Sequence, residues 1–268
     1  MNKLGLILKE QFSSLGIIYR IANYENKASY QGHYLGLAWE ILNPTIQVIT
    51  FYVVFGVGLH RGREVRDVPF ITWMLVGMAV WFFMNKVVLE SSKSIQRKIG
   101  MVSKMKFPVS VLPTIVIVSQ LKTFFVMMGL AIGSALFVGI FPTIHWFQFL
   151  YYFVAMIAFL LFIGLLSSTI TILVRDFHFI LQAVMRLLFY TSGTILVISD
   201  MFTGRFGRLL QLIPFNYLIR GFRNVMLYQG MIFEDTTASL FFWVLVLLIA
   251  LLATHLHLKF RSRFMDFM

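Results

Sequence analysis

Two rows of polar side chains recur at helical spacing inside otherwise apolar sequence. The first is Glu40, Asn43, Gln47 and Thr50, at steps of three or four; the second is His178, Gln182, Arg186 and Tyr190, at steps of four. Such spacing gathers each row on one face of a helix. A carboxylate or guanidinium in hydrocarbon is costly unless it faces protein or water. Two chemistries fit: facing walls of a polar pathway through a membrane, or helix-to-helix hydrogen bonding inside a bundle. For Arg186 the alternatives are an anionic substrate group or an ion pair with Glu40. Trp39, beside the first row, belongs to a dense aromatic set, most of it an interfacial belt and a minority able to stack on sugars.

Enzyme signatures are absent. The chain has no Gly-Lys dipeptide, hence no phosphate-binding loop, and no Gly-x-Ser-x-Gly elbow. No close carboxylate pair lies within an apolar run, and His255 and His257, two apart, point to different faces of a helix. No cofactor or metal is expected on this chain, and no catalytic residue. Energy must reach it from another chain or from an ion gradient.

The elements that carry these rows follow from composition. Of 268 residues 59% are hydrophobic, and 29 are Phe. Apolar runs of about 20 residues mark membrane helices, which predicts an all-α integral membrane protein with six spans near 36–59, 68–88, 112–140, 147–173, 177–199 and 238–258. The net charge of +12 would suit nucleic acid. The basic residues sit in short loops, however, where lipid head groups or an anionic substrate fit better. Cysteine is absent, so disulfides are excluded. The N-terminus shows no cleavable signal pattern.

Residues 2–20 place Leu4, Ile7, Leu8, Phe12, Leu15 and Ile18 at helical spacing, predicting an amphipathic helix lying in the membrane surface. It defines an N-terminal unit, 1–30, ahead of a membrane domain, 31–268. Loop Lys and Arg set the orientation: 14 fall on the face holding both termini and seven on the other, so both termini are expected in the cytosol. Segment 200–236 holds two short helical patterns around Pro214, with Gly230 as a stop. It reads as a re-entrant hairpin near 203–230, or as a helical loop on the surface. The loop ESSKSIQRKIGMVSKMKFP contains a short basic amphipathic helix near 90–104, suited to charge anchoring or to docking a cytosolic partner.

These stretches resemble a family. KASYQGHYLGLAWEILNP is similar to the start of the first span of polysaccharide-exporting ABC-2 type permeases. SKMKFPVSVLP resembles the segment after their coupling helix, TILVRDF their turn between fourth and fifth spans, and IPFNYLIRGFRNVMLYQG their outer hairpin. Within the family, LGLAWEILNPTIQ, WMLVGMAVWFF and VRDFHFILQAVMRLLFY look closest to the members that export wall teichoic acid. The resemblance implies a homodimer in the bacterial plasma membrane with two copies of an ABC ATPase, which would hold the ATP and Mg. It implies export of a lipid-linked anionic polymer, teichoic acid on undecaprenyl diphosphate, from the cytosolic to the outer side. O-antigen permeases share that architecture and give the alternative; a secondary transporter or channel is a second one. The implied coupling helix holds Ser92, Lys93, Ser94, Ile95, Gln96, Arg97 and Lys98. Cytosolic capture of an anionic polymer would fall to Arg20, Lys27, Arg97, Lys98, Lys104 and Lys106. On the outer side Arg205, Arg208, Arg220 and Arg223 would meet its head group or lipid heads.

Overall fold

The computed structural model describes residues 3–30, 34–59, 64–102, 107–196, 204–228, 230–231, 235–262 and 264. Side chains are described for all of these except 29, 30, 37, 40, 59, 99, 101, 102, 205 and 206. Eleven α-helices follow one another among them: α1 (Lys3–Ser13), α2 (Leu15–Tyr30), α3 (Trp39–Phe51), α4 (Phe70–Ser92), α5 (Ser94–Val102), α6 (Leu112–Phe137), α7 (Phe149–Leu173), α8 (Phe177–Thr191), α9 (Gly204–Leu212), α10 (Pro214–Leu227) and α11 (Thr236–Phe260). A π-helical segment, Tyr52–Leu59, prolongs α3. A two-stranded antiparallel ribbon, β1 (Glu64–Val65) and β2 (Val68–Pro69), leads into α4.

Helix α4 is the centre of the bundle. From Phe70 to Met84 it is apolar around almost its whole circumference, and residues from Thr72 to Trp81 are all buried. A helix apolar on every side has to be surrounded, and here α6, α7 and α10 surround it. Helix α11 packs on α7, while α3 and α8 lie at the edge. Helix α10 approaches α7 so closely that a Cβ on Gly221 would stand 2.0 Å from the Tyr152 ring.

Five helical segments are long and apolar enough to cross a membrane: 41–58, Phe70–Ser92, Val109–Phe137, Ile144–Leu173 and Thr236–Phe260. The fifth of the six expected spans is different. It is the 15-residue helix α8, which rises only about 22 Å against about 30 Å of hydrocarbon. Gly193, at φ +74°, takes the left-handed conformation and ends the helix after Thr191. The expected span ran to residue 199 because the apolar run does; residues 197–200 lie outside the described set.

The N-terminal amphipathic helix is two helices, parted at Ser14. Its apolar stripe is also divided. Ile7 is buried with Leu165 and Ala253, and Ile18 with Ile95, Leu112 and Ile115, whereas Phe12 and Leu15 are exposed. Gln11 Nε2 donates to Ser110 O at 2.9 Å, and Gln11 Oε1 accepts from Thr114 Oγ1 at 2.7 Å. Glu10 accepts from Ser110 and, at 3.1 Å, from Arg261 near the C-terminus. This unit is fastened to the helical body by buried hydrogen bonds as well as by apolar contact.

The expected hairpin has its two helices, α9 and α10, on either side of Ile213, with Asn216 Nδ2 donating back to Leu210 O at 3.0 Å. Arg223 of α10 is buried, 5% exposed. Its Nε donates to Trp73 O at 3.0 Å, Nη1 to Gly193 O at 2.5 Å and Nη2 to Thr194 O at 2.7 Å. The guanidinium also lies 3.4 Å from the Trp73 ring centroid. Gly77 makes room for it, since a Cβ there would come within 2.0 Å of Nη2. One side chain thus joins α10, the start of α4 and the end of α8. The head-group role expected for Arg223 does not fit this geometry, because three of its N–H groups are spent on backbone carbonyls.

Arg223→Leu would strand those carbonyls in an apolar interior, at about 3 kcal/mol or more. We expect the melting temperature of the detergent-solubilised chain to fall by about 6 °C or more, and less for Arg223→Lys, which keeps the charge but not the fork. An unchanged melting temperature would show that the contact is idle.

Candidate functional site

The polar row of α3 and the polar row of α8 meet. A cavity of about 720 Å³ lies between them, walled on its other sides by α4 and α6. Trp39, Asn43 and Gln47 line it from α3, and Gln182, Arg186 and Tyr190 from α8. The spacing explains the convergence. Side chains four apart stack on one helix face, so each row borders the open cavity; Asn43, Gln47, Arg186 and Tyr190 remain exposed within it, and Ile46, Ile49, Phe179, Ile180 and Leu187 are exposed elsewhere on the two helices. Aromatic rings flank the space: Phe51 and Phe189 have centroids 5.3 Å apart, and Trp81 and Phe189 5.6 Å.

Not every member of the two rows reaches the cavity. Thr50 is absent from its lining and donates its hydroxyl to Ile46 O, one turn back, at 2.9 Å. His178 is buried elsewhere, with Nδ1 at 2.8 Å from Ser92 Oγ. Ser92 Oγ gives its one proton to Leu89 O at 2.7 Å, so the imidazole Nδ1–H is the donor in this pair. The bond ties the first turn of α8 to the end of α4, one residue before Lys93 and the start of α5. The Glu40 side chain lies outside the described residues, and with it the expected pair with Arg186.

Several lining residues escaped the sequence reading: Asn85, Lys86 and Glu90 of α4 and Gln120 and Thr123 of α6. The available signal was the pair Lys86 and Glu90, four apart, but Glu90 lay past the expected end of the second span and Lys86 was counted with the loop. In the structure α4 runs on to Ser92, and Gln120 Nε2 donates to Glu90 Oε2 at 2.9 Å.

The expected cytosolic and coupling residues divide by exposure. Ser92, Ser94 and Ile95 are buried inside this chain, while Lys93, Gln96 and Lys98 are half-buried; Arg97 and Gly100 are exposed. The face that α5 can offer another protein is therefore the Arg97 and Gly100 side. Lys98 pairs with Glu25 of α2. Arg20 and Lys27 are exposed on α2, and Lys104 and Lys106 lie outside the described residues. On the far side Arg220 bonds Asp235 at 2.5 Å and Gln211 at 2.9 Å, Arg208 is exposed, and the Arg205 side chain is outside the described set.

This chain belongs to the ABC-2 type transporter family, whose profile matches residues 18–227. That family comprises transmembrane subunits of ABC transporters, with the ATPase on a partner chain. The chain is 26% identical over 193 residues to an O-antigen export system permease protein, RfbA, of Myxococcus xanthus, covering 72% of this chain and 73% of that one. It is 21% identical over 242 residues to the RfbA permease of Klebsiella pneumoniae, covering 90% and 91% of the two chains. The protein is thus a multi-pass membrane protein of the ABC-2 type.

Because both partners of the Ser92–His178 bond are buried, Ser92→Ala and His178→Ala should each destabilise by about 1–3 kcal/mol. The double variant should lose about 1 kcal/mol less than the sum. His178→Asn, which places an amide N–H near the Nδ1 position, should recover part of the loss. Strictly additive losses in chemical unfolding would show that the two groups act independently.

Proposed function

We propose that this chain is the permease subunit of an ATP-driven exporter of lipid-linked polysaccharide, moving its substrate from the cytosolic to the outer side of the bacterial plasma membrane. The observation that carries this reading is the convergence of the α3 and α8 polar rows on one cavity. A sugar polymer needs hydrogen-bonding groups and aromatic faces without a deep trap, and Asn43, Gln47, Gln182, Trp39 and Tyr190 supply them. Arg186 is the cationic member of the two rows, and it faces an anionic group of the substrate. Family membership supports ATP and Mg on a partner ATPase rather than on this chain.

The exposed apolar faces of α3 and α8 support a second copy of the chain closing the cavity, with two ATPases beneath. In that arrangement both termini, the α1–α2 unit and α5 lie on the cytosolic side. Arg20, Lys27, Arg97, Lys104 and Lys106 attract the substrate's phosphates there. Helices α9 and α10 form the re-entrant hairpin on the outer side, α8 completes a sixth crossing together with the segment after it, and Arg205 and Arg208 face lipid or head group.

The named relatives favour an O-antigen-type glycan as the polymer. The second reading, wall teichoic acid, rests on the motif resemblance of the first span, the coupling segment and the α7–α8 turn.

Reconstituted with its ATPase, the chain should export a lipid-linked polymer only when ATP is supplied. Arg186→Glu and the pair Gln47→Leu with Gln182→Leu should lower export at least tenfold while the complex still assembles and hydrolyses ATP. Export driven by a proton gradient without ATP would make the chain a secondary transporter and sink the proposal. Offering an O-antigen-type glycan and a polyol-phosphate polymer on the same lipid diphosphate decides between the two polymers.

A further inference from the structure

A second cavity, of about 510 Å³, lies under the first, between α2, α4, α5 and α6. The two share Lys86, Glu90, Gln120 and Thr123 as a common wall, so the lower space adjoins the upper one. Three cations line the lower cavity, Lys86, Arg97 and Lys98, and two carboxylates, Glu25 and Glu90. Both carboxylates are already engaged, Glu25 by Lys98 and Glu90 by the Gln120 amide. Among the described residues neither Lys86 nor Arg97 has a carboxylate within 4.0 Å. Three cations against two carboxylates leave one surplus positive charge; with Lys98 paired to Glu25, and Lys86 and Glu90 four residues apart at the neck, it falls to Arg97 on α5.

A further feature points to a ligand. Ser94, the first residue of α5, also lines this cavity; it is 2% exposed, and its Oγ has no hydrogen-bond partner. Among the described residues five buried hydroxyls have no partner, and Ser94 is the one of them that lines this cavity; such a group forfeits the bonds it made to water. Ser94 opens a nine-residue helix whose first-turn amides favour negative charge. A tetrahedral oxyanion accepts from hydroxyls, ammonium groups and guanidinium together, which is the set assembled here.

We propose that this lower cavity is a binding site for a phosphate or diphosphate group, held by Ser94 Oγ and Arg97 of α5 and by Lys86 at the neck. The role of the site rests on the export reading: a head group held there would lie on the helix expected to meet the ATPase and directly below the cavity that takes the polymer. Loading of substrate would thereby be sensed where the ATPase docks.

The full chain in lipid nanodiscs provides the test. One arm titrates inorganic pyrophosphate by calorimetry; the other dopes the nanodisc with undecaprenyl diphosphate, with undecaprenol as the neutral control, and measures retained lipid by native mass spectrometry. Lys86→Gln and Ser94→Ala should each weaken diphosphate binding about tenfold or more, Lys86→Arg should restore most of it, and Lys259→Gln, an exposed position on α11 outside both cavities, should change nothing. Binding in both arms identifies the phosphate group itself as sufficient; binding in the lipid arm alone identifies a lipid head group as the source. Either supports the site. No binding by the unaltered chain in either arm, or equal binding by the Lys86 and Ser94 variants, overturns it. A chain that binds diphosphate in this way but fails to export with its ATPase would retain the site and remove the export reading alone.

Discussion

The interaction on which most of this structure depends is the buried guanidinium of Arg223 among three backbone carbonyls. In an apolar interior each carbonyl that ends a helix must find a donor. Here α8 ends at Thr191, and the carbonyls of Gly193 and Thr194 just beyond it fall within reach of Trp73 O in the first turn of α4. A planar cation with several N–H groups can satisfy all of them at once, which the point charge of a lysine cannot. The tolerance of this place for an arginine depends on Gly77, whose missing side chain leaves the space.

Helix α8 is consequently held at both ends. Its first turn is tied to Ser92 through His178, and the residues just after its last turn are tied to Arg223. Between these anchors most of its surface is exposed, and the face bordering the cavity carries Gln182, Arg186 and Tyr190. A short helix fixed at its ends and lightly packed along its length suits a wall that has to present polar groups to a passing chain. The dense packing of α4 against α6, α7 and α10 supplies the rigid side of the same cavity.

The elements around α5 show a comparable economy. Helix α5 buries Ser94 and Ile95 and exposes Arg97, so it is welded to the body by one face and free by the other. Its fixed neighbours are α2, through Lys98 and Glu25, and the end of α4, through the turn at Lys93. A displacement of α5 by a partner would have to move α2 and α4 as well, and α4 carries the neck between the two cavities. The placement matches a family of membrane subunits driven by a partner ATPase.

Sequence alone was enough for the membrane character, for the helices around Pro214 and for the two polar rows, because periodicity and hydropathy are local properties that survive without knowing the fold. The row members Asn43, Gln47, Gln182 and Arg186 do share one cavity. What sequence could not supply was the partner of each group. His178 and Thr50 sit in register with their rows, yet one turns to Ser92 and the other to its own backbone. Arg223 reads like its neighbour Arg220 in the sequence, but one is sealed inside and the other bonds Asp235 near the surface. The extra length of α4, the early end of α8 and the lower cavity with Ser94 likewise come from contacts between residues far apart in the chain. Spacing decides which side chains share a face; only the packing of helices decides what that face meets, because burial and hydrogen-bond partners are set by neighbours that the local sequence does not contain.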